Sequence, residues 1–416
     1  MTNTDLSWRP PRRRGNYLEG ATGASRLIGI DAARGLALVG MMAAHIGVTT
    51  WGFVPSEGLV GWLGLAHGRP SILFAVVGGF SLGILSGRVT PHHGEKLVHT
   101  RLRVLVRATL LLVVGALLDL LGTDIAVILG HYATWFAFAL PFLRWPVRRL
   151  FALAGVIAVI GPVLHLYLPD LLDTWGFSPW LRSGNSALTD FLLTGSYPGV
   201  VWMAYIFTGL ALARLEWDSV LKISRLLGAG VMAMIAGYGG SALALRLFAP
   251  DWPPEAETDW ATIGDLLNAE PHADTFFEAL GSGGVAVTVI AVFMLIARYA
   301  AWTLAPLAAV GSMSLTVYSL HIVWVAALPG WPETNAMLAW MALTFIVFAM
   351  VWKFFFGRGP FEHWMYVVTV KATRTRETPV GLPAAPTAGL PAAPTAGLPP
   401  ESSPSSSKPP ARIRGW

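Results

Sequence analysis

RLIGIDAARGLALVGMMAAH, residues 26–45, is the stretch that decides how this chain is read. It is apolar and long enough to enter a membrane as a helix, yet it carries Asp31, Arg34 and His45. A charge near the bilayer centre costs at least about 2.5–3.5 kcal/mol, so such residues face a protein interior, a partner or a water-filled site. At about 100° per residue, Asp31, Arg34, Leu38 and His45 fall on a stripe roughly 60° wide. The rise from Arg34 to His45 is roughly 16 Å, about half the hydrocarbon thickness. One face of this helix is therefore polar and can line a path into the membrane.

Working outward, 54% of the 416 residues are hydrophobic and only 13% are charged, with 18 Trp. A soluble domain carries about twice that charge. Apolar runs at about 27–49, 70–87, 103–121, 125–143, 149–168, 188–213, 226–249, 283–300, 304–328 and 335–356 predict an all-α polytopic membrane protein of about ten transmembrane helices. Asp190, Tyr197 and Pro198 interrupt the 188–213 run, which leaves nine or eleven spans open. The organisation expected is a basic segment 1–25, a membrane domain 26–370 and a tail 371–416. In that tail GLPAAPTA at 381–388 recurs at 389–396, a composition expected to stay disordered.

Lys and Arg set the orientation. Arg9, Arg12, Arg13, Arg14 and Arg26 precede the first run, and Arg88, Lys96, Arg101, Arg103, Arg144, Arg148, Arg149, Arg214, Lys222, Arg225, Lys353 and Arg358 all fall on the same side if ten spans cross. Both termini are therefore expected in the cytoplasm, with the protein multi-pass in the cell membrane. The opposite loops are acidic or neutral, notably 250–280. The net charge of +5 then reflects topology and gives no reason to expect nucleic acid. The first apolar run is too long for a cleaved signal peptide and reads as a retained anchor. Cysteine is absent from the chain, which excludes disulfides and thiolate catalysis, and no metal is expected.

On this topology His45, His67, His131 and His321 share one depth near the outer face. Imidazole accepts and donates protons near neutral pH and can act as a nucleophile, so the cluster points to group transfer or proton relay. Each residue also has a plainer reading. His67 in LAHGRPS can simply open a helix, and His131 beside Tyr132 and Trp135 suits an interfacial aromatic belt. Ser314, Tyr318 and His321 at i, i+4 and i+7 suit interhelical hydrogen bonds, His45 can serve a structural bond, and Asp31 and Arg34 can neutralise each other.

The 26–45 stretch is similar to the opening motif of the heparan-alpha-glucosaminide N-acetyltransferase and YeiB-like membrane proteins. Further similar motifs follow in order: HGRPSILFAVVGGFSLG at 67–83, TGSYPGVVWMAYIFTGLALAR at 194–214, EPHADT at 270–275, PLAAVGSMSLTVYSLH at 306–321 and GRGPFEHWM at 357–365. The later motifs resemble the bacterial YeiB-like branch more than the lysosomal enzyme. The resemblance implies a transmembrane acyltransferase that takes acetyl from cytoplasmic acetyl-CoA and delivers it to a sugar amine or hydroxyl beyond the membrane. It implies His67 as the catalytic histidine before the second core helix. It also implies His45, where the lysosomal enzyme carries Asn, as a residue lining the same site.

These readings combine into named expectations. Asp31 orients Arg34, and Arg34 holds a phosphate or amide of the acyl-CoA donor. His45 and His67 carry acyl transfer, while His321, Tyr318, His272 and Asp274 contact a carbohydrate or glycolipid acceptor. The partners expected are the lipid bilayer, acyl-CoA and that acceptor, with a homodimer allowed. Two other classes stay open: a transporter or lipid flippase, and a scaffold whose proline-rich tail binds a partner.

Overall fold

The computed structural model describes residues 23–176, 186–253, 261–328, 330 and 334–373. The expectations for the basic N-terminal segment and the repeat-bearing tail fall almost wholly outside these residues. Among the described residues all regular structure is helical: α1 (Gly23–Ile46), the short α2 (Gly58–Leu63), α3 (Arg69–Leu85), α4 (Gly94–Asp119), α5 (Leu129–Ala139), α6 (Val147–Thr174), the single turn α7 (Ala187–Thr189), α8 (Gly199–Ala213), α9 (Val220–Phe248), the short α10 (Ile263–Leu267), α11 (Phe276–Ala300), α12 (Ala305–Ser312), α13 (Ser314–Ala327), α14 (Asn335–Phe356) and α15 (Pro360–Ala372).

By length and apolarity five stretches can cross a bilayer: Pro55–Leu85, Val147–Thr174, Val220–Phe248, Phe276–Ser312 and Asn335–Phe356. The pair Ala187–Thr194 and Gly199–Ala213, bent by 69°, makes a sixth if taken as one span. This is the helical architecture of a multi-pass membrane protein, with fewer self-sufficient spans than the ten apolar runs. α1 and α4 are 24 and 26 residues long, but Asp31, Arg34 and His45 in one, and Arg101, Arg103 and Arg107 in the other, lower their apolarity. The 304–328 run is not one helix, because the backbone leaves helical geometry at Met313 (φ −121°, ψ 37°) and α13 starts afresh.

α1 lies at the centre, packed on α3, α11 and α12, while α3 packs on α8, α8 on α6, α9 on α11 and α4 on α5. A helix surrounded by others is apolar all round, and α3 and α8 are: Ile72–Phe80 and Val201–Phe207 are continuously buried. α6, α9 and α14 instead expose apolar side chains such as Val159, Met232, Leu243 and Leu343, the surface a bilayer covers. The α1–α12 crossing depends on two glycines. A Cβ at Gly311 would meet the Asp31 carbonyl oxygen, and one at Gly35 the Leu307 carbonyl oxygen. Close backbone approach here sets where Arg34 points.

A second fixed point is Arg214, only 6% exposed. Its guanidinium donates to the Gly83 carbonyl at 3.3 Å, the Leu143 carbonyl at 2.5 Å and Ser86 Oγ at 2.7 Å, and also to the Arg88 carbonyl. Those acceptors lie at the end of α3, in the loop after it and in the turn before α6. The residue expected to be a loop charge is thus an internal clamp.

Candidate functional site

His45 occupies the last turn of α1, and His67 the loop that ends in the first turn of α3. Gly68 takes φ +71°, a conformation that favours glycine, and Pro70 fits the first turn of the helix, so the chain reverses sharply at His67. Both histidines line one cavity of about 730 Å³, together with His272, Ser71, Tyr197 and Trp51. His67 Nε2 shares a 2.6 Å hydrogen bond with Thr49 Oγ1, and its ring lies 4.8 Å from that of Trp51. His45 Nδ1 shares a 3.2 Å hydrogen bond with His321 Nε2, their rings nearly parallel at 7°. The other nitrogen of His321 is buried beside the Val317 and Tyr318 carbonyls.

His272 comes from the loop before α11, in the left-handed region at φ 62°, and Asp274 follows at φ 53°. Glu278 holds this strained pair: its carboxylate accepts from His272 N at 2.8 Å and from Asp274 N at 2.7 Å. Burial and the neighbouring His67 press the His272 imidazole down to a pKa of about 4, so it is neutral at pH 7. Asp274 lies behind it, 4% exposed, its Oδ1 accepting from Trp202 Nε1 at 2.7 Å. Burial, reinforced by the Glu278 charge, raises the Asp274 carboxyl well above the usual range, so Asp274 is the member of the pair that keeps a proton.

Near the middle of α1, Arg34 donates from one guanidinium nitrogen to Asp31 Oδ1 and the Gly311 carbonyl, each at 3.1 Å, and from the other to Ser81 Oγ at 2.6 Å. It lines a second cavity of about 340 Å³ with Arg107, Tyr132, Ser314, Tyr318 and Glu362. Phe74, Tyr132 and Tyr318 lie at its inner wall with centroids 5.4 Å (Phe74–Tyr132) and 6.4 Å (Phe74–Tyr318) apart. Tyr318 in turn meets the His321 ring at 5.1 Å, so one layer of aromatic rings joins the arginine cavity to the histidine cluster.

The structure therefore brings His45, His67 and His272 to one cavity and gives Arg34 the Asp31 partner that i, i+3 spacing predicted. Three residues expected to contact an acceptor are not on that cavity's wall. His321 is fully buried behind His45, Asp274 is covered by the His272 loop, and Tyr318 faces the arginine cavity, where its hydroxyl accepts from Ile128 N at 3.0 Å. His131 is buried at 8% exposure and packs edge-on against Phe191 and Tyr197, away from the histidine cavity's wall.

Residues 26–248 match the heparan-alpha-glucosaminide N-acetyltransferase catalytic family, more than half of the chain. The chain belongs to this family. No curated protein matches it. The N-acetyltransferase match contains His45, His67, Asp31, Arg34, Trp202 and the Arg214 clamp, and ends before the His272 loop, α13 and α15.

Glu278 and Thr49 were missed in the sequence. T-F-F-E at 275–278 is a capping-box pattern, and Thr275 Oγ1 does accept from Glu278 N at 3.0 Å. That pattern was available as a signal for an ordered carboxylate. Nothing in the sequence pairs Thr49 with His67, because the bond depends on how the 47–57 loop folds back.

Proposed function

We propose that this protein is a membrane-embedded acyltransferase that moves an acetyl or other short acyl group from cytoplasmic acyl-CoA to an amino sugar, glycan or glycolipid on the far side. In this reading α1, α4 and the shorter apolar helices also cross the bilayer, giving about ten spans. The arginine cavity then faces the cytoplasm and the histidine cavity the opposite side. The observation that carries the proposal is the single cavity shared by His45 and His67, in a chain of this acetyltransferase family, at the far end of the helix that presents Arg34.

Arg34, oriented by Asp31 and Ser81, holds an oxyanion or amide of the donor. The acyl end reaches the histidine cavity past the aromatic layer. If His321 keeps its proton on the nitrogen facing the Val317 and Tyr318 carbonyls, its Nε2 accepts from His45 Nδ1–H, which leaves the Nε2 lone pair of His45 for the chemistry. Thr49 does the same for His67: accepting from Nε2–H, it leaves the Nδ1 lone pair to take a proton from the acceptor amine or hydroxyl. The acceptor atom then bonds the acyl carbon, the thioester C–S bond breaks, and the thiolate leaves with the proton returned by imidazole. A covalent acyl-imidazole on the second histidine is the two-step version of the same balance.

The test is turnover of labelled acetyl-CoA by the purified protein in lipid, offered alone and with candidate amino sugars. Release of CoA that is lost in His67→Ala and His45→Ala is the expected result. A folded protein that neither binds nor turns over several acyl-CoAs refutes the proposal.

A further inference from the structure

The motif GRGPFEHWM at 357–365 has no part in the chemistry above, yet it supplies part of the wall of the arginine cavity and a contact to α13. α13 begins inside the protein, so its first N–H groups need acceptors from elsewhere. Glu362 of α15 provides them: Oε1 accepts from Leu315 N at 2.6 Å and Thr316 N at 3.1 Å, and Oε2 accepts from Thr316 Oγ1 at 2.6 Å. Phe361 N donates back to Thr316 Oγ1 at 3.1 Å. The positive end of a helix favours an anion, and here the anion is a side chain.

Glu362 and Met365 also line the arginine cavity, so α15 forms one of its walls. The rest of that wall is rich in donors. Tyr132, only 5% exposed, has a hydroxyl with no hydrogen-bond partner, and Arg107 Nε is likewise buried without one. Two unmatched donors, the Arg34 guanidinium and a helix N-terminus converge on one space. Together they make a seat for an oxyanion such as a phosphate.

We propose that Glu362 is an internal oxyanion that keeps this seat while the cavity is empty and latches α15 across it, and that a phosphate-type ligand displaces the carboxylate and opens the lid. The proposal rests on the reading of the arginine cavity as the entrance for a phosphate-bearing donor. An incoming phosphate takes the same donors and repels the carboxylate, which releases α15 from α13.

Because the chain has no cysteine, a single Ile84→Cys, on the wall of the arginine cavity, reports its opening through the rate of maleimide labelling. Met337→Cys, on the wall of the histidine cavity, is the control. Labelling at position 84 is expected to rise about tenfold in Glu362→Ala, the factor of one charge-assisted hydrogen bond, with smaller rises in Glu362→Gln and Thr316→Val and none at position 337. The last two variants keep the side-chain volume and serve if the alanine variant does not fold. Inorganic pyrophosphate is expected to accelerate labelling saturably when Glu362 is present and not in Glu362→Gln. Equal rates in the presence and absence of the carboxylate, or no response to pyrophosphate, overturn the proposal. A latch that responds to pyrophosphate in a protein that neither binds nor turns over acetyl-CoA supports the lid while removing the acyl-CoA reading.

Discussion

Acidification should destabilise this protein in part through His272, and the size of that contribution follows from its surroundings. Its imidazole stands at about 4 in the folded state against 6.5 in the unfolded chain, because burial and His67 both oppose its charge. Between those values the unfolded chain binds the proton and the folded one does not, so stability falls as pH drops through this window and is complete above 6.5. At about 1.4 kcal/mol per pH unit, the loss by pH 4 amounts to roughly 3 kcal/mol. The assay is thermal unfolding in lipid nanodiscs from pH 4 to 8, comparing the wild type with His272→Gln, which removes the titration and keeps a polar side chain. The wild-type midpoint should fall relative to the variant between pH 6.5 and 4 and run parallel to it above 6.5. Parallel curves throughout would mean that His272 meets water freely, and the burial argument would be wrong.

Asp274 should show the opposite slope: its raised pKa means the folded state holds a proton that the unfolded chain releases above about 3.9, so stability is lost as pH climbs. Asp274→Asn, which keeps an acceptor for Trp202, should gain on the wild type with rising pH in the same melts. Glu278→Ala strips the acceptor from two N–H groups of the His272 loop and should cost about 2–5 kcal/mol, read as a lowered unfolding midpoint. Arg34→Lys keeps the charge but cannot serve Asp31, Gly311 and Ser81 together, so donor KM should rise about tenfold with little change in kcat. Thr49→Val leaves His67 in place without the partner of Nε2 and should lower kcat about tenfold or more, with donor KM unchanged.

The parts of the site that one helix carries were legible in its spacing. Asp31, Arg34 and His45 share a stripe of α1, and the structure finds Arg34 bonded to Asp31 and His45 on a cavity wall. The place of His67 just before a helix was legible from Gly68 and Pro70, while its role in the site came from the family resemblance. What was not legible was the direction in which largely buried polar residues point. The polar face of α13, with Ser314, Tyr318 and His321, does not say which neighbour it meets, and packing turns Tyr318 to the arginine cavity and buries His321 behind His45. The span count was legible only in part, since five stretches, or six with the bent pair, are long and apolar enough to cross by themselves. A helix can carry arginines beside exposed apolar residues, as α4 does with Arg101, Arg103 and Arg107 next to Leu105, Leu112 and Leu117, and an apolar run can hide a break, as at Met313, when another helix supplies the missing acceptors.

The Arg214 clamp also has a consequence for biogenesis. The carbonyls of Gly83, Arg88 and Leu143 wait for a donor that lies 131, 126 and 71 residues further along the chain. While the ribosome is still making α4 to α7, the end of α3 and the turn before α6 have no guanidinium to bind. The first half of the protein must therefore reach the bilayer with those groups satisfied by water or by the insertion machinery. It closes only when residue 214 emerges, so nascent chains halted just before and just after that point should differ sharply in protease resistance.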